Sequence, residues 1–294
     1  MTRFRPPGST RLAAAPVWPA FVAGAIAQYG GAAVAVGLFS HTPPSVVGWL
    51  RTLFGGVVVV AVTRPSWVVS APRRVVRAAA LGIVTLAMNI VFYEAISRVD
   101  LGVAVAVEFI GPVTVAALGT RGLRGAASLV AVATGVVLVS GALDGTVTVG
   151  ALWAVGAGVL WGGYIVLGAR VSAAHAGIDG RGRRGIEDLG VGLTVAAVGA
   201  APVAIGVSVI TGVSAPSSSV VALCAVVGVL SSAVPYVLDQ VVLTRVGRAR
   251  FALLLALLPV TAAVVGGGDA ASGAVDGGDP GDRGGRRSDR RRAP

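Results

Sequence analysis

Apolar runs recur down almost the whole chain, separated by short gaps that hold arginine, proline, serine and glycine. A helical span needs about 20 apolar residues. On that rule the runs predict helices near 17–38, 45–63, 75–97, 101–119, 124–142, 150–169, 187–211, 219–243 and 248–266, nine in all. The fold class is therefore an all-α polytopic membrane protein. The arginines test the count independently. The first 16 residues carry Arg3, Arg5 and Arg11 and read as a retained cytoplasmic tail; gap 39–44 has none; gap 64–74 has Arg64, Arg73 and Arg74; the turn at 98–100 balances Arg98 with Asp100. Basic and bare gaps go on alternating, through Arg121 and Arg124, a gap with only Asp144, the set Arg170, Arg181, Arg183 and Arg184, a bare serine gap, and finally Arg245, Arg248 and Arg250. That alternation is what the positive-inside rule requires of a multi-pass protein of the plasma or inner membrane with its N-terminus in the cytoplasm.

The chain repeats itself internally. When Arg98 is laid on Arg245, Val99 falls on Val246, Pro112 on Pro259 and Thr114 on Thr261. The units are expected at 17–142, with five helices, and at 150–266, with four. Five is odd, so the second copy enters the membrane inverted, and the basic gaps swap sides between copies accordingly. Inverted repeats of this kind are typical of secondary transporters, with the solute site near the midplane. A second unit of five helices would end in a tenth, whereas residues 267–294 form a Gly-, Asp- and Arg-rich tail with no Leu, Ile or Phe. The expectation is a disordered tail replacing a helix lost by a frameshift, and a remnant that no longer transports is one reading of it.

Composition narrows the chemistry. Hydrophobic residues make up 55% of the 294 and charged ones 13%. The net charge of +11 would suggest nucleic acid in a soluble protein, but here the basic residues occupy the gaps where topology signals belong, so nucleic acid is not an expected partner. There is no lysine, which excludes a Walker P-loop and a Schiff-base mechanism. His41 and His175 fall in loops without partners at ligand spacing, and the single Cys224 lies in an apolar run; no metal, cofactor or disulfide is expected. An intramembrane protease is suggested by Gly266-Gly267-Gly268-Asp269, but Asp269 lies in the polar tail with no second mid-helix aspartate. No enzyme is expected.

The motifs taken together resemble a known family. Gln28-Tyr29-Gly30, Trp49-Leu50-Arg51 leading to Arg64-Pro65, the stretch from Asn89 to Pro112, residues 150–166 and residues 231–245 are similar to the EamA branch of the drug/metabolite transporter superfamily, nearest its threonine/homoserine exporter group. The resemblance covers nearly all of 17–265. It implies an inner-membrane carrier of two inverted five-helix repeats that exports small amino acids by proton exchange, and leaves a carrier for another solute as the alternative. The expected partners are a small-molecule substrate, protons and the lipid bilayer, with a homodimer left open. A glutamate often found in the family just before the second-half proline is Leu258 here.

Glu108 is the foremost candidate. An ionised acid at mid-depth costs roughly 2.5–3.5 kcal/mol on insertion scales, so it faces a protein-lined or wet interior. Pro112, four residues on, has no N–H to give the Glu108 carbonyl. Arg51 lies about two turns below the outer surface of the second span, where it either holds a substrate carboxylate or snorkels to the interface. Gln28, Asn89, Trp161 and Tyr164 are polar positions inside spans, each suited to helix-to-helix bonding as well as to a solute pathway. Asp239 near the end of the eighth span ranks below Glu108, while Glu94 reads as a surface pair with Arg98. Pro112, Pro235 and Pro259 mark hinges or kinks. Gly158 and Gly162 read as close helix packing, and Glu187 with Asp188 as acids at the positive end of the seventh span.

Overall fold

The computed structural model describes residues 18–119, 148–173, 181–211 and 214–238, and a few isolated positions beyond them. The expected spans at 124–142 and 248–266 and the tail from 267 fall almost wholly outside the described residues. The described chain forms α1 (Trp18–Val36), α2 (Pro44–Thr63), a 3-10 turn (Ser66–Val68), α3 (Pro72–Ile96), α4 (Leu101–Glu108), α5 (Ile110–Gly119), α6 (Val149–Ala173), α7 (Arg181–Thr211) and α8 (Ser218–Gly228), which continues through a π turn (Val229–Ala233) to Leu238. With α4 and α5 counted as one interrupted span, seven helices among the described residues are long and apolar enough to cross a membrane.

The punctuation is set by proline and by caps. Pro44 and Pro72 open α2 and α3, where a fixed φ and a missing N–H cost nothing. Arg64 ends α2 in the left-handed region at φ 46°, its N–H turned back onto the Val60 carbonyl, and Pro65 bars further helix. Ser217 caps α8 through the Val220 N–H. One boundary departs from expectation: α7 starts at Arg181, not 187, so Glu187 and Asp188 lie in its second turn, past the dipole end assigned to them.

Glycine sets how the helices meet. A β-carbon on Gly56 would lie 2.8 Å from the Thr194 nitrogen, and one on Gly190 would lie 2.5 Å from a Val59 methyl. Gly82 and Gly192 bring α3 and α7 backbone to backbone, and Gly111 does the same for α5 against Gly158 of α6. Such approach is how helices associate in lipid, where apolar burial gives no driving force.

The order of these contacts gives the chain directions. Trp49 meets Ala197 while Gly56 meets Leu193 and Val59 meets Gly190, so α2 and α7 are antiparallel. Arg98 meets Gly150 while Val84 meets Gly163, so α3 and α6 are antiparallel too. Glu108 meets Gly158 while Val115 meets Gly162, so the α4–α5 span runs parallel to α6. Gly24 meets Pro235 while Gly31 meets Leu230, so α1 and α8 are antiparallel.

The outside is apolar, and the interior, itself mostly apolar, also holds the buried polar groups. Val62, Val203, Val209 and Ile210 lie on the surface, whereas Arg51, Thr52, Thr85, Asn89, Glu108, Ser231 and Ser232 are buried among the helices. Apolar residues on the surface and polar ones kept inside follow from a hydrocarbon solvent, which accepts valine and makes an exposed carboxylate costly.

Gly82→Val is expected to abolish packing of α3 on α7, because the clash is with backbone and cannot be relieved by a rotamer change. Overpacking there should exceed about 3 kcal/mol and remove the folded peak in detergent size-exclusion chromatography. Gly199→Val, with nothing within 4 Å of the new β-carbon, should elute as wild type.

Candidate functional site

Arg51 lies in the middle of the bundle and is 4% exposed. It does not snorkel to the interface. Pro235 of α8 has no N–H for the carbonyl of Ser231, one helical turn earlier, and Arg51 supplies the missing donor: Nη2 reaches that carbonyl at 2.7 Å. Its Nε donates to the Ser232 hydroxyl at 3.2 Å, and the Ser231 hydroxyl in turn donates to the Gln28 carbonyl at 2.9 Å, tying α1, α2 and α8 together. Gly55 and Gly228 make the reach short enough, since a β-carbon on Gly228 would fall 2.9 Å from the Arg51 carbonyl. The guanidinium also stands 5.2 Å from the centre of the Tyr93 ring. Of its five N–H donors, two are placed.

Glu108 is buried at the end of α4, where the helix breaks at Phe109 before resuming as α5. The break is what Pro112 dictates, since it cannot donate to the Glu108 carbonyl. Gly158 faces that carbonyl, and any side chain larger than hydrogen would collide with it. Phe109 packs edge-on against Trp161 with ring centres 5.3 Å apart, which holds the break against α6. The Glu108 carboxylate forms no ion pair or hydrogen bond among the described residues, and the charge that bears on it is Arg51.

The other candidates divide. The Asn89 amide donates to Thr52 at 3.0 Å, and the Thr52 hydroxyl donates to the Gly48 carbonyl, so Asn89 bonds α3 to α2 one turn from Arg51. Gln28 stands beside Ser231, half-buried. Trp161 is at the α4–α5 break, whereas Tyr164 packs farther along α6 with Leu81, Leu189 and Leu193. Pro235 follows the π turn of α8. Asp239 and Pro259 lie outside the described residues. Gly158 and Gly162 pack on Gly111, the close helix contact expected of them. Tyr93 escaped the sequence reading; it is fully buried beside Arg51, and its neighbours Phe92 and Glu94 give no hint of that in one dimension.

Charges also gather at the two ends of the bundle. At one, Arg74 of α3 reaches Asp188 at 2.6 Å and Glu187 at 3.5 Å, Arg183 reaches Glu187 at 3.1 Å, and Trp67 donates to Glu187 at 2.9 Å. Arg74 stacks 3.7 Å over the Trp67 ring, and Arg183 donates to the Thr63 carbonyl that closes α2. At the other, Arg98 pairs with Glu94 at 2.6 Å, as its spacing predicts, and Glu94 also takes the Ser45 N–H at the start of α2.

An apolar exterior of seven span-length helices around a charged, hydrogen-bonded interior defines a multi-pass helical membrane protein. Comparison with known proteins places it further. The chain is 32% identical over 266 residues to the threonine/homoserine exporter RhtA of Salmonella typhimurium strain LT2, an alignment covering 88% of this chain and 85% of that protein. It is 32% identical, with the same coverage, to the exporter of that name from Escherichia coli strain K12. The chain belongs to this family of EamA-type drug/metabolite transporters; it is a transporter of small molecules, and its relatives are named as exporters, not as enzymes. No family model and no solved structure matches it.

The two charged ends should respond differently to truncation. Arg74→Ala removes the 2.6 Å pair from buried Asp188 while Glu187 keeps Arg183, and should cost about 3 kcal/mol, seen as a lowered melting temperature in detergent. Arg98→Ala removes a half-exposed pair and should cost under about 1 kcal/mol in the same assay.

Proposed function

We propose that this chain exports small neutral amino acids, threonine and homoserine foremost, across the inner membrane in exchange for protons. The observation that carries the proposal is the pair Arg51 and Glu108. They are opposite charges, both buried, with no ion pair between them, Arg51 having N–H donors to spare and the Glu108 carboxylate no bond among the described residues. A zwitterion fits between such groups: its carboxylate takes the free N–H donors of Arg51 in a forked pair of bonds, and its ammonium faces the Glu108 carboxylate. A lone cation would be repelled by Arg51 and a lone anion by Glu108. The names of the relatives supply the same solutes independently.

The carrier is read as two inverted units, 17–142 and 150–266. The reading is supported by reciprocal packing: α3 against α6 and α7 matches α8 against α1 and α2, while α2 against α7 maps onto itself. Parallel runs of the α4–α5 span and α6 need an odd number of crossings between them, as a span at 124–142 would provide. Basic gaps put the N-terminus and the α2–α3 connection in the cytoplasm. Proton exchange would use Glu108, which cannot hold a proton and a substrate ammonium at once.

Labelled threonine and homoserine should leave cells that express this chain, and a protonophore should slow their exit. Glu108→Gln and Arg51→Lys should each lower export at least about tenfold, the lysine because it keeps the charge and loses the fork, while Glu108→Gln retains the wild-type elution profile. Export by Glu108→Gln at the wild-type rate would sink the assignment. Orientation is checked separately: a membrane-impermeant maleimide applied to whole cells should label Ser40→Cys and spare Ser70→Cys, both exposed sites, with the buried Cys224 silent.

A further inference from the structure

Tyr93 has a hydroxyl group that is fully buried and without a hydrogen-bond partner among the described residues. Arg51 and Ser231 flank that hydroxyl but close no bond on it; the bonds Arg51 makes run to the Ser231 carbonyl and the Ser232 hydroxyl, and that of the Ser231 hydroxyl to the Gln28 carbonyl. Cys224, also buried, is a further neighbour. The ring cannot easily turn the hydroxyl away, since Phe39 packs against it edge-on at 5.8 Å and Phe92 at 6.2 Å, with the guanidinium over its face. A phenol stripped of water and left unpaired is costly, and buried polar groups in native proteins are nearly always satisfied. Here the packing fixes an unsatisfied one beside the group that binds the solute's carboxylate.

We propose that Tyr93 is a specificity-determining residue: its hydroxyl bonds the side-chain hydroxyl of an amino acid whose carboxylate rests on Arg51. This rests on the proposed function and sharpens it to hydroxylated amino acids. Tyr93 touches Arg51, so its hydroxyl is within reach of an oxygen on the β or γ carbon of a solute held there. A phenol both donates and accepts, so it can serve a secondary alcohol, as in threonine, or a primary one, as in homoserine. An amino acid without the hydroxyl leaves Tyr93 unpaired, and the site discriminates against it for that reason.

The deoxy analogue of both solutes is 2-aminobutyrate. Cells expressing the wild-type chain should export threonine in preference to 2-aminobutyrate by about tenfold or more, and unlabelled homoserine should compete for threonine export better than 2-aminobutyrate by a like factor. Tyr93→Phe keeps the ring and its contact with Arg51. In that variant the threonine to 2-aminobutyrate ratio, measured in the same cells so that expression cancels, should fall to near one through loss of threonine export. An unchanged ratio in Tyr93→Phe overturns the inference and leaves the proposed function standing. If the variant fails to reach the membrane, the wild-type competition decides: equal competition by homoserine and 2-aminobutyrate overturns it. A wild-type chain that exports no amino acid removes the proposed function, and this inference with it.

Discussion

The bond from Arg51 to the Ser231 carbonyl is the contact on which the centre of the bundle depends. A guanidinium in a hydrocarbon interior needs acceptors, and a helix supplies none while its carbonyls are bonded to their own N–H groups. Pro235 removes one such N–H, and the π turn at Val229–Ala233 loosens the same stretch. The arginine and the broken helix are each unfavourable alone, and each removes the other's fault. The bond also explains the glycines: Gly55 and Gly228 let the two backbones close to the distance at which an arginine side chain spans them, and Gly31 admits the Ser231 hydroxyl to α1.

The opposite charge is handled by the same device without the closing bond. Pro112 opens the α4–α5 span at Glu108 as Pro235 opens α8, and Gly158 makes room for the freed carbonyl as Gly228 does for Arg51. The carboxylate itself is left unbonded among the described residues. Structural arginine and unpaired glutamate therefore have different standing. Arg51 is partly consumed in holding the fold, whereas Glu108 contributes nothing to stability that the structure records. A buried carboxylate of that kind costs desolvation that nothing among the described residues offsets.

Much of this was legible in one dimension. Span positions follow from apolar length and arginine spacing because both obey the bilayer, a constraint local in sequence. Glu108, Pro112 and Pro235 could be read because an acid or a proline in an apolar run is anomalous where it stands. What could not be read depends on contacts between distant segments. Arg51 in the second span had two destinations, lipid interface and interior, and the choice was made by Ser231 and Ser232, 180 and 181 positions away. Tyr93 was passed over since an aromatic in a span is ordinary until its partners are known. Glu187 and Asp188 looked like dipole-end acids because the seventh span was placed from 187, after the basic set Arg170 to Arg184; Arg74, from a different helix, binds them in a turn that is helical already.

The ends of the bundle differ in kind from its middle. Along the α2–α7 interface the contacts are glycine against valine, leucine and threonine, with Trp49 to the Ala197 carbonyl as a cross-helix bond near one end. Such contacts depend on shape and are indifferent to water. The cluster of Arg74, Arg183, Glu187 and Asp188 is the reverse, because its members are ions, and separated ions are stabilised by hydration as bonded ones are by each other. Arg183 in it is already largely exposed, while Asp188 is 1% exposed, so the cluster spans the boundary between solvent and protein. Arg51 stands at the other extreme, 4% exposed and held by the Ser231 carbonyl in the middle of the bundle.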